Sequence, residues 1–367
     1  MAGGAHRTSA VGGRRRERDQ RAQAAGATGA TESGGGEAMM RLPRFRYLAP
    51  RKLSEAAAAL ADLGTQASVL AGGTDLLPNM KRRQQTPATL VGLREIRALR
   101  ARSGDPGSGM TLGALTRLSE IEHDSAIAAN WPALAQAAAS VATPPLRNMG
   151  TLGGNLCLDT RCSYYDQGPE WRAAIGYCMK KDGEICWVAP GSPRCWAVTS
   201  TDTAPVLCAL GAEVTLVSAQ GERRIPVEDL FADDGIEHLT KKPGEILSAV
   251  HLQKPTPDAR STYVKLRRRG SFDFPVLGIA ASARLRADGT VEEARIFVSG
   301  TGSRPTNAAE AVAFLAGRKL TDEDVLREAA ESIAHVARPL QNTDFSMSWR
   351  KQAAREFAAR ALRNLLP

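Results

Sequence analysis

Cys162, Cys178, Cys186 and Cys195 stand within one stretch of the chain, separated by gaps of fifteen, seven and eight residues. Four thiolates can hold an iron–sulfur cluster or a structural zinc ion. These gaps match neither the ferredoxin spacings nor the C-x2-C knuckle of zinc sites, so spacing alone leaves cluster, zinc and unliganded thiols all open. The stretch also carries Trp171, Trp187 and Trp196, and Gly168, Pro169, Gly183, Pro190, Gly191 and Pro193 punctuate it. It reads as a long irregular loop with short turns. A loop of this length inside a globular protein calls for a function or a ligand, and metal-bound thiolates would replace the core it lacks. The nearby Trp and Tyr side chains are expected to shield such a centre. Cys157 and Cys208 are expected to pack as small buried hydrophobes.

Two glycine turns are the second chemical signal. Gly72-Gly73-Thr74 follows an apolar strand, and Gly150-Thr151-Leu152-Gly153-Gly154-Asn155 directly precedes the cysteine stretch. Glycines let backbone N–H groups approach a phosphate, and the threonines add hydroxyl donors. One such turn favours an ordinary tight turn; two, each with a threonine, shift the balance toward a phosphate site. Neither turn fits the dinucleotide fingerprint G-x-G-x-x-G or the Walker pattern with its lysine, so a Rossmann domain is not indicated. The five histidines, at 6, 123, 238, 251 and 335, have no ligand spacing, and no Ser-His-Asp or paired-carboxylate arrangement stands out. Acid–base chemistry on a substrate is therefore not the expected work of this chain.

The elements that must position these groups follow from pattern and punctuation. Residues 53–64 predict a helix with Ser54 as N-cap, Glu55 in its first turn and Gly64 just past its end. ASVLAGGTDLLPNMK predicts strand, turn and short helix, and NWPALAQAAASVATPP a small-residue helix stopped by Pro144 and Pro145. DTAPVLCALGA is a buried helix or strand, and GEILSAVHLQKP a strand. Residues 262–305 read as strands around turns at Asp288-Gly289 and Gly300–Gly302, and the chain from Asn307 is helical through Arg363.

With 367 residues, 43% of them hydrophobic, the chain can bury a large core in two or three lobes. The net charge of +9 is spread out and no nucleic-acid-binding motif accompanies it, so a solvated basic surface is the better reading. No run of about 18 apolar residues predicts a membrane span. Residues 1–38 have the composition of a disordered extension and lack the apolar core of a secretory signal, which places the native start at Met39 or Met40. Cysteines without an export signal point to a reducing cytoplasm, where clustered thiols bind metal more often than they pair.

Taken in order, LAGGTDLLPNMK, GTLGGNL, TDTAP, GEIL and YVKLRRRG resemble the FAD-binding medium subunits of the molybdenum hydroxylase family, to which xanthine dehydrogenase and carbon monoxide dehydrogenase belong. The likeness covers nearly all of residues 40–365. It implies an α+β fold: a two-lobed FAD-binding domain of the vanillyl-alcohol oxidase type at 39–255, then a C-terminal α+β domain at 256–367, as in carbon monoxide dehydrogenase flavoprotein. The lobes would span about 39–100 and 101–255, with a cysteine-rich insertion at about 158–199. By this resemblance Ala71, Gly72, Gly73, Thr74 and Asp75 wrap the FAD diphosphate, and Gly150, Thr151, Gly154 and Asn155 complete the cradle. Asp202 contacts the flavin's sugar-like chain, and Leu247 and Lys265 lie near the flavin. Lys81 matches a lysine of the family, though a solvated lysine fits the position equally well.

Most members run directly from GGN to TDTAP, whereas about forty residues holding the four cysteines intervene here. The insertion resembles that of the 4-hydroxybenzoyl-CoA reductase branch, whose medium subunits carry an added [4Fe-4S] cluster. That implies Cys162, Cys178, Cys186 and Cys195 as cluster ligands. It also implies a molybdenum-cofactor large subunit and a [2Fe-2S] small subunit in a dimer of heterotrimers, with reduced ferredoxin as donor. The alternatives are a medium subunit of an oxidative molybdenum hydroxylase and a non-catalytic assembly subunit stapled by zinc.

Overall fold

Three short strands, Arg46–Leu48 (β1), Ala67–Leu70 (β2) and Thr89–Gly92 (β3), form a parallel sheet in the order β1-β3-β2. Helix Leu53–Leu63 (α1) bridges β1 to β2 and helix Leu76–Lys81 (α2) bridges β2 to β3, the crossovers that parallel pairing requires. Central β3 is buried along its whole length, which explains its apolar reading. The computed structural model describes residues 41–367, so the expectations for residues 1–38 and for a start at Met39 or Met40 lie outside it. Helix α1 begins one residue before the predicted Ser54 cap. Glu55 reaches back instead, its Oε2 accepting from the backbone N–H groups of Arg51 (3.1 Å) and Lys52 (3.2 Å). That carboxylate satisfies the orphan amides and leaves the hydroxyl nothing to cap. Gly64 ends the helix at φ 52°, as its position suggested.

The second sheet is antiparallel and five-stranded: Arg102–Asp105 (β4), Gly109–Gly113 (β5), Glu213–Ser218 (β6), Gly221–Pro226 (β7) and Ile246–Leu252 (β8), in the order β4-β5-β8-β6-β7. The second glycine turn and the cysteine stretch therefore sit in one excursion between β5 and β6. Helix Pro132–Ser140 (α3) ends at Val141 and Ala142, and Pro144 and Pro145 open the next turn rather than stop this helix. Proline suits a first helical position because its missing N–H is an orphan there anyway. The ambiguous DTAPVLCALGA is a helix, Thr203–Ala209 (α4), with all seven residues buried.

In the third sheet Ala259–Leu266 (β9), Leu277–Leu285 (β10), Val291–Ser299 (β11) and Thr306–Asn307 (β12) pair antiparallel in the order β12-β11-β10-β9. The β10–β11 turn falls at Asp288-Gly289, with Gly289 at φ 82°. Ile279, Ala281 and Ala283 of β10 pack on helices Ala309–Leu315 (α5), Glu323–Val336 (α6) and Met347–Arg363 (α7). Ala280, between them, joins the core of the second sheet with Tyr263 and Phe297. Strand side chains alternate faces, so a sheet covered on both sides reads as unbroken small and apolar residues. The whole is the expected α+β arrangement. No helix among the described residues is long and apolar enough to cross a membrane.

Candidate functional site

The two glycine turns meet. A Cβ added to Gly72 would fall 2.0 Å from the carbonyl oxygen of Met149, so glycine is required for the first turn to lie against the second. Gly73 adopts φ 75°, a left-handed conformation that glycine takes without strain. In the second turn the Thr151 hydroxyl accepts from the Gly154 N–H (3.1 Å) and caps the short helix Leu152–Leu156. Asn155 Oδ1 accepts from the hydroxyls of Thr201 and Thr203 (2.7 Å each), which fastens TDTAP to the glycine turn.

These turns wall a cavity of about 970 Å³, at the upper end of the usual range for ligand pockets. Ala71, Gly72, Gly73, Thr74, Asp75, Gly150, Thr151, Gly154, Asn155, Asp202 and Leu247 all line it. Lys265 does not. Its ammonium donates to Asp202 Oδ2 (3.0 Å) and the Ser140 carbonyl (2.9 Å), while the Tyr263 hydroxyl donates to Asp202 Oδ1 (2.8 Å). Lys265 therefore acts through Asp202, holding that carboxylate at the wall. Both side chains of the pair are under 5% exposed. Burial and the neighbouring carboxylate push the Tyr263 hydroxyl far up, which keeps it a donor. Lys265→Met is expected to lower stability by about 3 kcal/mol or more in urea denaturation, since it strands a buried carboxylate. Lys81 is exposed and does not line the cavity.

The cysteine stretch leaves and re-enters through a two-way backbone pairing of Arg161 with Val198, N–H to carbonyl at 2.8 Å in each direction. Within it Cys162, Cys178, Cys186 and Cys195 are all buried, at 4–6% exposure, and no disulfide forms. Cys162, Cys178 and Cys195 pack with Tyr165 and Ala197 in a small core of their own. Cys162, Cys178 and Cys186 each open a tight turn, their carbonyls accepting from Tyr165 and Asp166, from Lys181 and Gly183, and from Ala189. The Ala197 N–H also donates to the Cys195 sulfur (3.4 Å). Burial pushes the Cys162 thiol up to about 12. The Cys195 S–H and the turn amides hold Cys186 down as the thiolate of the pair. Among the described residues no three His, Cys, Asp or Glu side chains gather about a single metal-ion position. Of the Trp and Tyr side chains expected as shields, Tyr165 packs with the cysteines, whereas Trp171 and Trp187 are 42% and 36% exposed. Cys208 is buried as expected, whereas Cys157 is only partly buried and lines the cavity.

A family model described as the FAD binding domain in molybdopterin dehydrogenase matches residues 43–255. The chain belongs to this family. A second model, the CO dehydrogenase flavoprotein C-terminal domain, matches residues 261–365. The 6-hydroxypseudooxynicotine dehydrogenase complex subunit alpha of Paenarthrobacter nicotinovorans is 28% identical over 89% of this chain and 96% of its own. The carbon monoxide dehydrogenase medium chain of Hydrogenophaga pseudoflava is 26% identical over 87% and 96%. In a crystal structure of Cu,Mo-CO dehydrogenase, one chain matches with TM-score 0.73 at 25% identity, covering 89% of this chain and 99% of that one. This molybdopterin dehydrogenase flavoprotein is thus an FAD-binding oxidoreductase subunit of the medium-chain type. The cavity fits FAD on its own evidence, since its volume and its glycine walls, where a Cβ would collide, suit a dinucleotide.

Several residues of the flavoprotein's cavity had no signal in the sequence. Arg82 and Arg161 line it beside Asp75. Arg161 comes from the neck of the cysteine stretch and forms an ion pair with Asp75; burial pulls its pKa down, against the nearby carboxylates. Phe272 and Phe274 line the rim. Phe272 and Ala142 both hold positive φ, 61° and 42°, and the Phe272 N–H donates to the Ala142 carbonyl (3.0 Å). Two strained residues joined at a cavity wall are typical of a functional site. Isolated arginines and phenylalanines carry no spacing to betray them.

Proposed function

We propose that the chain is the electron-transfer subunit, carrying FAD and a [4Fe-4S] cluster, of a molybdenum enzyme that removes the phenolic hydroxyl of 4-hydroxybenzoyl-CoA. The net change takes two electrons and two protons and yields benzoyl-CoA and water, with reduced ferredoxin as the electron source. FAD when bound exchanges one or two electrons and an iron–sulfur cluster exchanges one. The chain's own residues do the rest. The glycine turns hold the diphosphate with backbone donors, the Asp202–Lys265–Tyr263 group fixes a carboxylate at the cavity wall, and four thiolates hold the cluster. The observation that carries this reading is the lobe of four buried cysteines, none in a disulfide, with the Ala197 N–H donating to the Cys195 sulfur. Such hydrogen bonds are a means by which proteins set cluster potentials. A four-iron cluster also ligates sulfurs that stand farther apart than those around one zinc ion.

The partners would be a molybdenum-cofactor large subunit and a [2Fe-2S] small subunit in a cytoplasmic dimer of heterotrimers. A second reading is the medium subunit of an oxidative molybdenum hydroxylase, with the cysteine lobe as an added outlet for electrons. The relatives favour it: subunits of carbon monoxide, nicotinate and xanthine dehydrogenases are among them.

Anaerobic purification with iron, sulfide and flavin analysis tests the cofactors. The expected result is about four irons and one FAD per chain, with a paramagnetic signal on reduction. Flavin without iron, or with zinc in its place, would remove the cluster and the substrate assignment with it. On the assembled complex, 4-hydroxybenzoyl-CoA should be consumed when reduced ferredoxin is supplied. Electron flow only from a substrate to NAD would decide for the oxidative reading.

A further inference from the structure

We propose that Arg161 is a positioning residue that couples the order of the cysteine lobe to the occupancy of the flavin cavity. The proposal rests on the cavity holding FAD.

Arg161 belongs to the neck of the lobe, next to Cys162, yet its guanidinium lies at the glycine turn. One Nη forms an ion pair with Asp75. The other donates to Asn79 of α2 (3.0 Å) and reaches Asp166 in the lobe (3.5 Å). The guanidinium also sits 4.5 Å from the ring centroid of Phe274, on the third sheet's loop. The side chain is 6% exposed, and its Nε has no partner although buried. A single cation is therefore shared among the glycine turn, the cysteine lobe and the rim of the cavity.

Asp75 makes the connection chemical. Its carboxylate lines a cavity whose ligand carries a diphosphate, and two such anions repel in a site with little water. Arg161 is the group that neutralises Asp75. A lobe that loosens withdraws this cation, leaves Asp75 bare and weakens the flavin. By linkage, bound flavin tightens the lobe to the same extent. Two contacts that do not involve Arg161 run along the same seam. Gln84 Nε2 donates to the Tyr165 carbonyl (2.6 Å), and Arg172 reaches the Arg83 carbonyl (3.3 Å). They keep the lobe docked when the arginine is changed, so loss of coupling can be told from loss of docking.

Hydrogen–deuterium exchange on the full chain, with and without FAD, reads the coupling. FAD is expected to slow exchange across residues 158–199 of the wild type by about tenfold, within the usual range of coupling between sites. Arg161→Gln is expected to abolish that slowing and to weaken FAD binding by roughly tenfold. Arg161→Lys keeps the charge but not the planar fork, and is expected to restore part of both. Asp75→Asn should abolish the slowing as Arg161→Gln does but leave FAD affinity near that of the wild type, because no bare carboxylate is left to repel the diphosphate. The double variant should bind FAD more tightly than Arg161→Gln alone, because residues of one ion pair are not additive. Slowing that survives in Arg161→Gln overturns the proposal, as does a lobe indifferent to FAD in a wild type that binds it. If Arg161→Gln does not fold, Asp75→Asn decides by the exchange readout. A wild type that binds no FAD in the initial titration overturns the flavin assignment itself, before any variant is made.

Discussion

Cys178→Ala is expected to reduce the iron content from about four per chain to less than one and to erase the paramagnetic signal of the reduced protein. Cys178 heads a doubly bonded turn of the lobe. Its carbonyl accepts from Lys181 (2.9 Å) and Gly183 (3.1 Å), and Tyr177 and Asp182 on either side hold φ 62° and 66°. That turn places the sulfur, and no other cysteine can move into its place without unwinding it. The lobe has only five fully buried residues in its own core, three of them cysteines. So small a core is unstable without a staple. Once the metal is lost, faster proteolysis within residues 158–199 should follow. Flavin should be retained, weakened by about tenfold through the loss of the Arg161 tie. Full iron in Cys178→Ala would remove this cysteine from the ligand set.

Gly72→Ala is expected to weaken FAD binding by at least a hundredfold and to destabilise the fold by about 3 kcal/mol, the upper part of the range for forced overpacking. The new Cβ would lie 2.0 Å from the Met149 oxygen and 2.8 Å from its carbon, both backbone atoms. No rotamer relieves such a clash, so the two glycine turns must part, and the cradle opens where the diphosphate lies. Gly191→Ala meets nothing within 4 Å and serves as the control. Fluorescence titration with FAD and a urea melt check both variants. An affinity within threefold of wild type would place the diphosphate elsewhere.

The meeting of the two glycine turns at one cavity was legible because each turn is written in consecutive residues, and its partner could be sought by the same pattern. The strands and the long C-terminal helix were legible from periodicity. The errors share a cause. Ser54 and the Pro144-Pro145 pair were read by residue type, whereas Glu55 reaching back and proline opening a helix are decided by which backbone groups lack partners. Arg161 was invisible because its partner Asp75 lies 86 residues earlier, and nothing local marks a guanidinium that will be buried. Trp171 and Trp187 were expected as shields because they lie near the cysteines in sequence, but nearness along an irregular loop does not decide which side chains turn inward.

The pairing of Arg161 with Val198 has a consequence for how such a chain could have arisen. It joins the two ends of the cysteine stretch side by side, so the scaffold sees a short link whatever hangs beyond it. Lengthening a loop from about four to about forty residues costs only about 2 kcal/mol in closure entropy. The lobe is thus a cassette whose length costs the fold around it little. Such a neck would let a segment grow or shrink without rebuilding the sheets it hangs from.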